Sequence, residues 1–176
     1  ADTVEKEIEA LIRDNRARDI STGIQETGRT IHTSDAVPQY AAFLRSTFPE
    51  DLSLQGLKIM IDCSNGATHA VAPLVFKALN ADLSVLHAAP NGVNINQACG
   101  SQHPQVLAQA VVDHGAHVGL AFDGDGDRLV AVAEDGHILT GDQILTICAD
   151  YFKQTDRMKP PTVVSTIMSN MGLGKA

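Results

Sequence analysis

Asp123, Asp125 and Asp127 alternate with Gly124 and Gly126 in a single five-residue run, followed directly by Arg128. Carboxylates this close repel one another, and a hard divalent cation that seeks oxygen ligands offsets the repulsion. The intervening glycines lack a Cβ, so the backbone can coil and turn all three side chains toward one point. The chemistry expected of this run is cation binding, with Asp123, Asp125 and Asp127 as metal ligands.

The elements around the run set its context. Residues 118–122 (Val-Gly-Leu-Ala-Phe) and 129–133 (Leu-Val-Ala-Val-Ala) are apolar and strand-like, so the acidic loop joins two strands. This context excludes an EF-hand, although the aspartates stand at loop positions 1, 3 and 5 and Glu134 falls at position 12. Position 6 of that loop requires Gly, and here it holds Arg128. A strand over 129–133 would also carry Glu134 about 20 Å from the aspartates, at roughly 3.3 Å per residue. A phosphotransferase of the haloacid-dehalogenase type is a second alternative, since its nucleophilic Asp-x-Asp also ends a strand. Against it, Asp127 stands where that motif has Thr or Val, and the motif belongs on a first strand.

Upstream, residues 1–13 place Val4, Ile8, Leu11 and Ile12 at helical spacing, and residues 14–35 are polar and linker-like. A second helix is expected over 36–47, ending at Phe48-Pro49. Strands are expected over 57–61 and 83–87, with a helix over 67–79 between them and another over 104–114. Pro104 suits the first turn of that last helix. The alternation of apolar strands with helices predicts an α/β fold: a mixed, mostly parallel sheet sandwiched by helices. In such sheets ligands gather at the carboxyl ends of strands. The turn Asp62-Cys63-Ser64-Asn65-Gly66 and the acidic loop both fall at such ends and are expected on one rim, with Asn65 and Gly66 shaping the turn. Beyond Asp135-Gly136, a helix is expected over 141–152, then a strand over 162–166 and the start of a further helix. That last unit would be an incomplete α/β unit, and the chain reads as an internal fragment.

The 176 residues carry a formal net charge of −8 and 44% apolar residues. This is the composition of a soluble globular domain without a basic stripe, so nucleic acid is not an expected partner. No apolar run reaches the length of a membrane span, and none is expected as a membrane partner. Cys63, Cys99 and Cys148 are odd in number and far apart, which favours free thiols in a reducing, cytoplasmic setting. His114 and His117 are read as surface or strand-edge residues rather than ligands.

The run from Val118 to Arg128 resembles the metal loop of the α-D-phosphohexomutases, whose hallmark is Asp-Gly-Asp-Gly-Asp-Arg. Asp62 to Thr68 is similar to the family's strand-to-helix turn. The stretch Asn91-Gly92-Val93-Asn94-Ile95-Asn96, with Cys99-Gly100-Ser101 and His103-Pro104, looks like its glucosamine branch, as does Met168 to Leu173, and Gly141-Asp142-Gln143 is similar to the family as well. The resemblance implies three domain pieces: 1–27 as the tail of a first domain and linker, 28–135 as a complete metal-binding second domain, and 136–176 as the opening of a third. It implies Mg2+ as cofactor, a phosphorylated hexosamine as substrate and the remaining domains of a parent chain as partners. The parent's reaction would interconvert glucosamine 6-phosphate and glucosamine 1-phosphate through an enzyme phosphoserine and a bisphosphate intermediate. The family's Ser-His-Asn-Pro phosphoserine loop has no match here, so no catalytic residue is assigned. Arg128 has two readings: a substrate-binding contact to the transferring phosphate, or a counter-charge within the loop. The alternatives are a glucose- or mannose-phosphate mutase of the same superfamily, or a non-catalytic cation-binding domain.

Overall fold

The computed structural model describes residues 2–14 and 28–175. The reading of residues 15–27 as linker lies outside the described residues. Backbone contacts divide the chain into two units, Ala1–Ser34 and Asp35–Ala176. In the first, helix α1 spans Asp2–Arg13, with Asp2 and Glu5 in its first turn and Arg13 in its last, as the helix dipole favours. Val4, Ile8, Leu11 and Ile12, the apolar positions anticipated for this helix, are all exposed.

The second unit is built on a four-stranded sheet. Its elements are α2 (Ala36–Thr47), β1 (Lys58–Asp62), α3 (Thr68–Ala78), β2 (Asp82–Leu86), α4 (Pro104–His114), β3 (Val118–Phe122), β4 (Leu129–Ala133) and α5 (Gly141–Gln154). The order across the sheet is β2-β1-β3-β4. β1 is parallel to both β2 and β3, and β4 runs antiparallel to β3. This is the mixed, mostly parallel sheet anticipated from the apolar runs.

β1 is central, and alternate residues serve opposite faces. Ile59, Ile61 and Cys63 pack with Ala72 and Phe76 of α3, whereas Met60 packs with Leu107 and Val111 of α4 and Val132 of β4. A strand covered on both sides must be apolar throughout, which explains the unbroken Ile-Met-Ile run. α4 starts with Pro104 in its first turn, where a missing amide hydrogen costs no helical bond. α5 starts with a capping box: the Thr140 hydroxyl accepts from the Gln143 amide, and the Gln143 carboxamide oxygen accepts from the Thr140 amide.

Residues 162–166 do not form the expected strand, and no helix starts in 167–175. A β-strand exists only as part of a hydrogen-bonded ladder, and among the described residues none pairs with this segment. Its residues are exposed, so its β-branched composition has neither ladder nor core to act on. No described helix is long and apolar enough to cross a membrane.

Candidate metal centre

The carboxyl ends of β1 and β3 lie side by side, because Ile61 is in register with Leu120 and Asp62 with Ala121. The 62–66 turn and the acidic loop therefore share one rim. The contact between them is backbone on backbone: the Ala67 amide donates to the Gly124 carbonyl at 2.8 Å. A Cβ on Gly66 would sit 2.2 Å from that carbonyl oxygen, so only glycine allows the two loops to meet.

Within the loop the three carboxylates converge. Asp123, Asp125 and Asp127 each place an oxygen within 4.8 Å of the others, with Asp123 buried and the other two exposed. Gly126 adopts φ +78°, a left-handed turn that brings its amide back onto Asp123. Asp123 Oδ1 accepts from the amides of Gly126 and Arg128, each at 3.1 Å. Asp123 Oδ2 receives Arg128 Nε and Nη2, each at 2.7 Å. Arg128 Nε also lies 3.4 Å from Asp127 Oδ1.

The electrostatics split the carboxyls. Burial pushes Asp123 up, but the Arg128 amide and guanidinium outweigh it and hold the carboxyl down at about 2. Asp127 moves the other way: its hydrogen bond to Asp123 and the charges of Asp125 and Asp123 hold it above the usual carboxylate range. The Arg128 guanidinium lies on the Asp123 carboxylate, whose charge would otherwise repel its neighbours. Its side chain is 64% exposed. The donor set consists of hard carboxylate oxygens, which fits Mg2+ or another hard divalent cation.

Glu134 lies beyond the far end of β4, outside the loop, as rejecting the EF-hand requires. His114 and His117 use Nδ1 in backbone hydrogen bonds, with the Ala110 carbonyl and the Lys58 amide respectively. Beside the loop opens a cavity of about 630 Å³, lined by Asn65, His69, Asn94, Asn96, Asp125 and Arg128 among others. Asn96 Oδ1 is buried there without a hydrogen-bond partner. A larger apolar groove of about 860 Å³ runs between α2, α3 and β3, reaching the loop at Asp125 and Gly126.

Sequence reasoning placed the 62–66 turn on this rim but gave neither Asp62 nor the segment 87–100 a part in building it. Asp62 is fully buried and accepts from the amides of Ser64 and Gly100, each at 2.9 Å, and from His87 Nδ1 at 3.0 Å. Ser64 in turn donates its hydroxyl to the Phe122 carbonyl, one residue before Asp123. Ser64, Asn65, His87, Asn96 and Ala98 all take positive φ. Such conformations disfavour residues with a Cβ and persist only where surrounding bonds over-determine them. An Asp ending a buried strand was the available signal; its partner is visible only once β1 and β2 are in register.

Comparison with known proteins agrees with this architecture. The family model for phosphoglucomutase/phosphomannomutase, alpha/beta/alpha domain II, matches residues 38–136, and that for domain III matches residues 140–176. A phosphoglucosamine mutase from Syntrophobacter fumaroxidans is 50% identical over 173 residues, covering 98% of this chain and 38% of that protein. One from Syntrophus aciditrophicus is 47% identical over 175 residues, covering 99% and 39%. The chain thus spans less than two fifths of the length of these curated relatives. The crystal structure of a phosphoglucomutase/phosphomannomutase family protein from Burkholderia thailandensis superposes with a TM-score of 0.62 at 28% identity. The match covers 85% of this chain and 32% of that one.

Proposed function

The chain belongs to the phosphoglucomutase/phosphomannomutase family, and from that premise we propose that it is the cation-holding part of a phosphosugar mutase. The reaction would interconvert glucosamine 6-phosphate and glucosamine 1-phosphate through an enzyme phosphoserine and a sugar bisphosphate. The observation that carries this reading is the convergence of Asp123, Asp125 and Asp127 within 4.8 Å at a strand end, in a chain 50% identical to a phosphoglucosamine mutase. In this reading residues 28–135 form the metal-binding second domain, residues 1–27 the end of a first and residues 136–176 the beginning of a third. In the same reading the phosphoserine comes from another segment of a longer protein.

Asp123, Asp125 and Asp127 would hold Mg2+, which when bound supplies charge neutralisation for phosphoryl oxygens. The chain's own part is positioning. The Gly126 and Arg128 amides fix the Asp123 carboxylate, and the Ala67–Gly124 bond fixes the loop against α3. With a cation on the three carboxylates, the Arg128 guanidinium would be available as a bidentate donor to a phosphate in the adjoining cavity that it lines.

Titrating Mg2+ into the 176-residue chain by calorimetry tests the reading. One site is expected, and its affinity should fall at least tenfold in Asp125→Asn; no binding by the unaltered chain overturns the reading. With glucosamine 6-phosphate, phosphorus NMR should show no glucosamine 1-phosphate formed by this chain alone. Turnover by the isolated chain would overturn the assignment of the phosphoserine to another segment.

A further inference from the structure

We propose a second metal site, of softer character, formed by Asp62, His87 and Cys99 and suited to Zn2+ or a similar transition-metal ion. One ligand atom from each, a carboxylate oxygen, an imidazole nitrogen and the thiol sulfur, lies within 4.8 Å of the other two. The three belong to segments remote in sequence: the end of β1, the residue after β2, and the residue before the short 3-10 turn Gly100–Gln102. Parallel pairing of β1 with β2 sets Asp62 against Leu86, which places His87 at the same rim.

The ligands are held before any ion arrives. Asp62 has no exposed surface, and both its oxygens are oriented by backbone amides, Oδ1 by Ser64 and Oδ2 by Gly100. Outer hydrogen bonds of this kind set the direction of a ligating carboxylate. His87 Nδ1 lies 3.0 Å from Asp62 Oδ2. A tetrahedral zinc ion asks for roughly 3.3–3.8 Å between neighbouring ligand atoms, so a small opening of this pair admits the ion. Cys99 is buried, whereas the His87 side chain is 31% exposed. Solvent therefore reaches the site past His87.

Donor chemistry selects the ion. Nitrogen and sulfur beside a single carboxylate favour Zn2+ over Mg2+, the reverse of the all-oxygen loop. The protons balance simply. The hydrogen that Nδ1 now presents to Asp62 gives way to the ion while Nε2 carries the ring proton, leaving the imidazole neutral. Cys99 loses its thiol proton to solvent, so one proton is released per ion. The carboxylate and thiolate together then neutralise the divalent charge. Bound there, an ion ties the ends of β1 and β2 to the 91–100 segment, whose Ile95 and Asn96 pack against Gly124 of the acidic loop.

The site does not depend on the mutase reading, and cobalt separates the two. Co2+ added to the reduced 176-residue chain in excess Mg2+ is expected to give a sulfur-to-cobalt charge-transfer band, saturating at one equivalent. The band should disappear in Cys99→Ser, weaken at least tenfold in apparent affinity in His87→Gln, and survive in Cys148→Ser and in Asp125→Asn. Zn2+ should raise the thermal midpoint of the unaltered chain and leave that of Cys99→Ser unmoved. Absence of the band in the unaltered chain, its persistence in Cys99→Ser, or equal stabilisation of both chains by Zn2+ would overturn the proposal.

Discussion

The Ala67 amide donates to the Gly124 carbonyl at 2.8 Å, joining the first turn before α3 to the middle of the acidic loop. Two segments 57 residues apart in number are thereby held at backbone distance.

Gly66→Ala should disrupt both the turn and the loop. The new methyl would lie 2.2 Å from the Gly124 oxygen and 2.7 Å from its Cα, where only backbone can yield. Overpacking of this kind costs about 3 kcal/mol. Urea unfolding measures the loss, and Gly141→Ala, with nothing within 4 Å of its added methyl, should lie within about 0.5 kcal/mol of the unaltered chain. Equal stability of the two variants would remove the claim.

Asp125→Asn should move two observables in opposite directions. Its carboxylate is exposed and lies within 4.8 Å of two others, so losing it relieves repulsion and leaves the thermal midpoint equal or higher in the absence of cation. Mg2+ affinity should fall at least tenfold, since one of three oxygen ligands is lost. A lower midpoint without cation would show that Asp125 has a structural role instead.

Arg128→Gln should expose the protein to acid. Asp123 is pushed up by burial but held at about 2 by the Arg128 amide and guanidinium. Because the folded value lies below the unfolded one, this stabilisation is present at neutral pH and lost as pH falls from about 4 toward 2. Without the guanidinium, burial raises Asp123, and the acid limb of the stability profile should shift to higher pH. Urea midpoints measured from neutral to acidic pH decide the matter; superimposable acid limbs would contradict the pairing.

Cation binding should itself weaken on acidification, and Asp127 should lead. Its hydrogen bond to Asp123 and the charges of Asp125 and Asp123 hold it above the usual carboxylate range. It therefore takes up a proton before an ordinary aspartate does, and a protonated carboxyl is a poor ligand. Mn2+ titrations across the acidic range should show affinity declining from above the ordinary carboxylate value. A flat profile down to that value would count against the arrangement.

Thiol reactivity should separate the three cysteines. Burial pushes Cys63 up to about 11 and also raises Cys99, so both stay as protonated thiols near neutrality. Cys148 on α5 is exposed. In metal-free native protein one thiol is expected to react quickly with a disulfide reagent, and three after unfolding. Two or more fast thiols in the native state would contradict the burial of the rim.

The sequence alone determined what rests on short-range pattern. The boundaries of α2, α4, β3 and β4 follow from apolar periodicity and from Pro and turn residues, because these elements read their own neighbours. The acidic loop was legible for the same reason: its three ligands sit within five residues. The segment 162–166 marks where that logic ends. Its composition is β-like, but a strand requires a partner that composition does not supply. Tertiary structure alone decided the rest. Asp62 meets His87 and Gly100 only because parallel pairing aligns the ends of β1 and β2. Gly66 is required by an oxygen 58 residues away in number. Arg128, whose two readings the sequence left open, lies on Asp123 because the loop coils back by the Gly126 turn. Local propensity acts over a few residues, whereas these contacts depend on the register of a sheet that the whole chain must close.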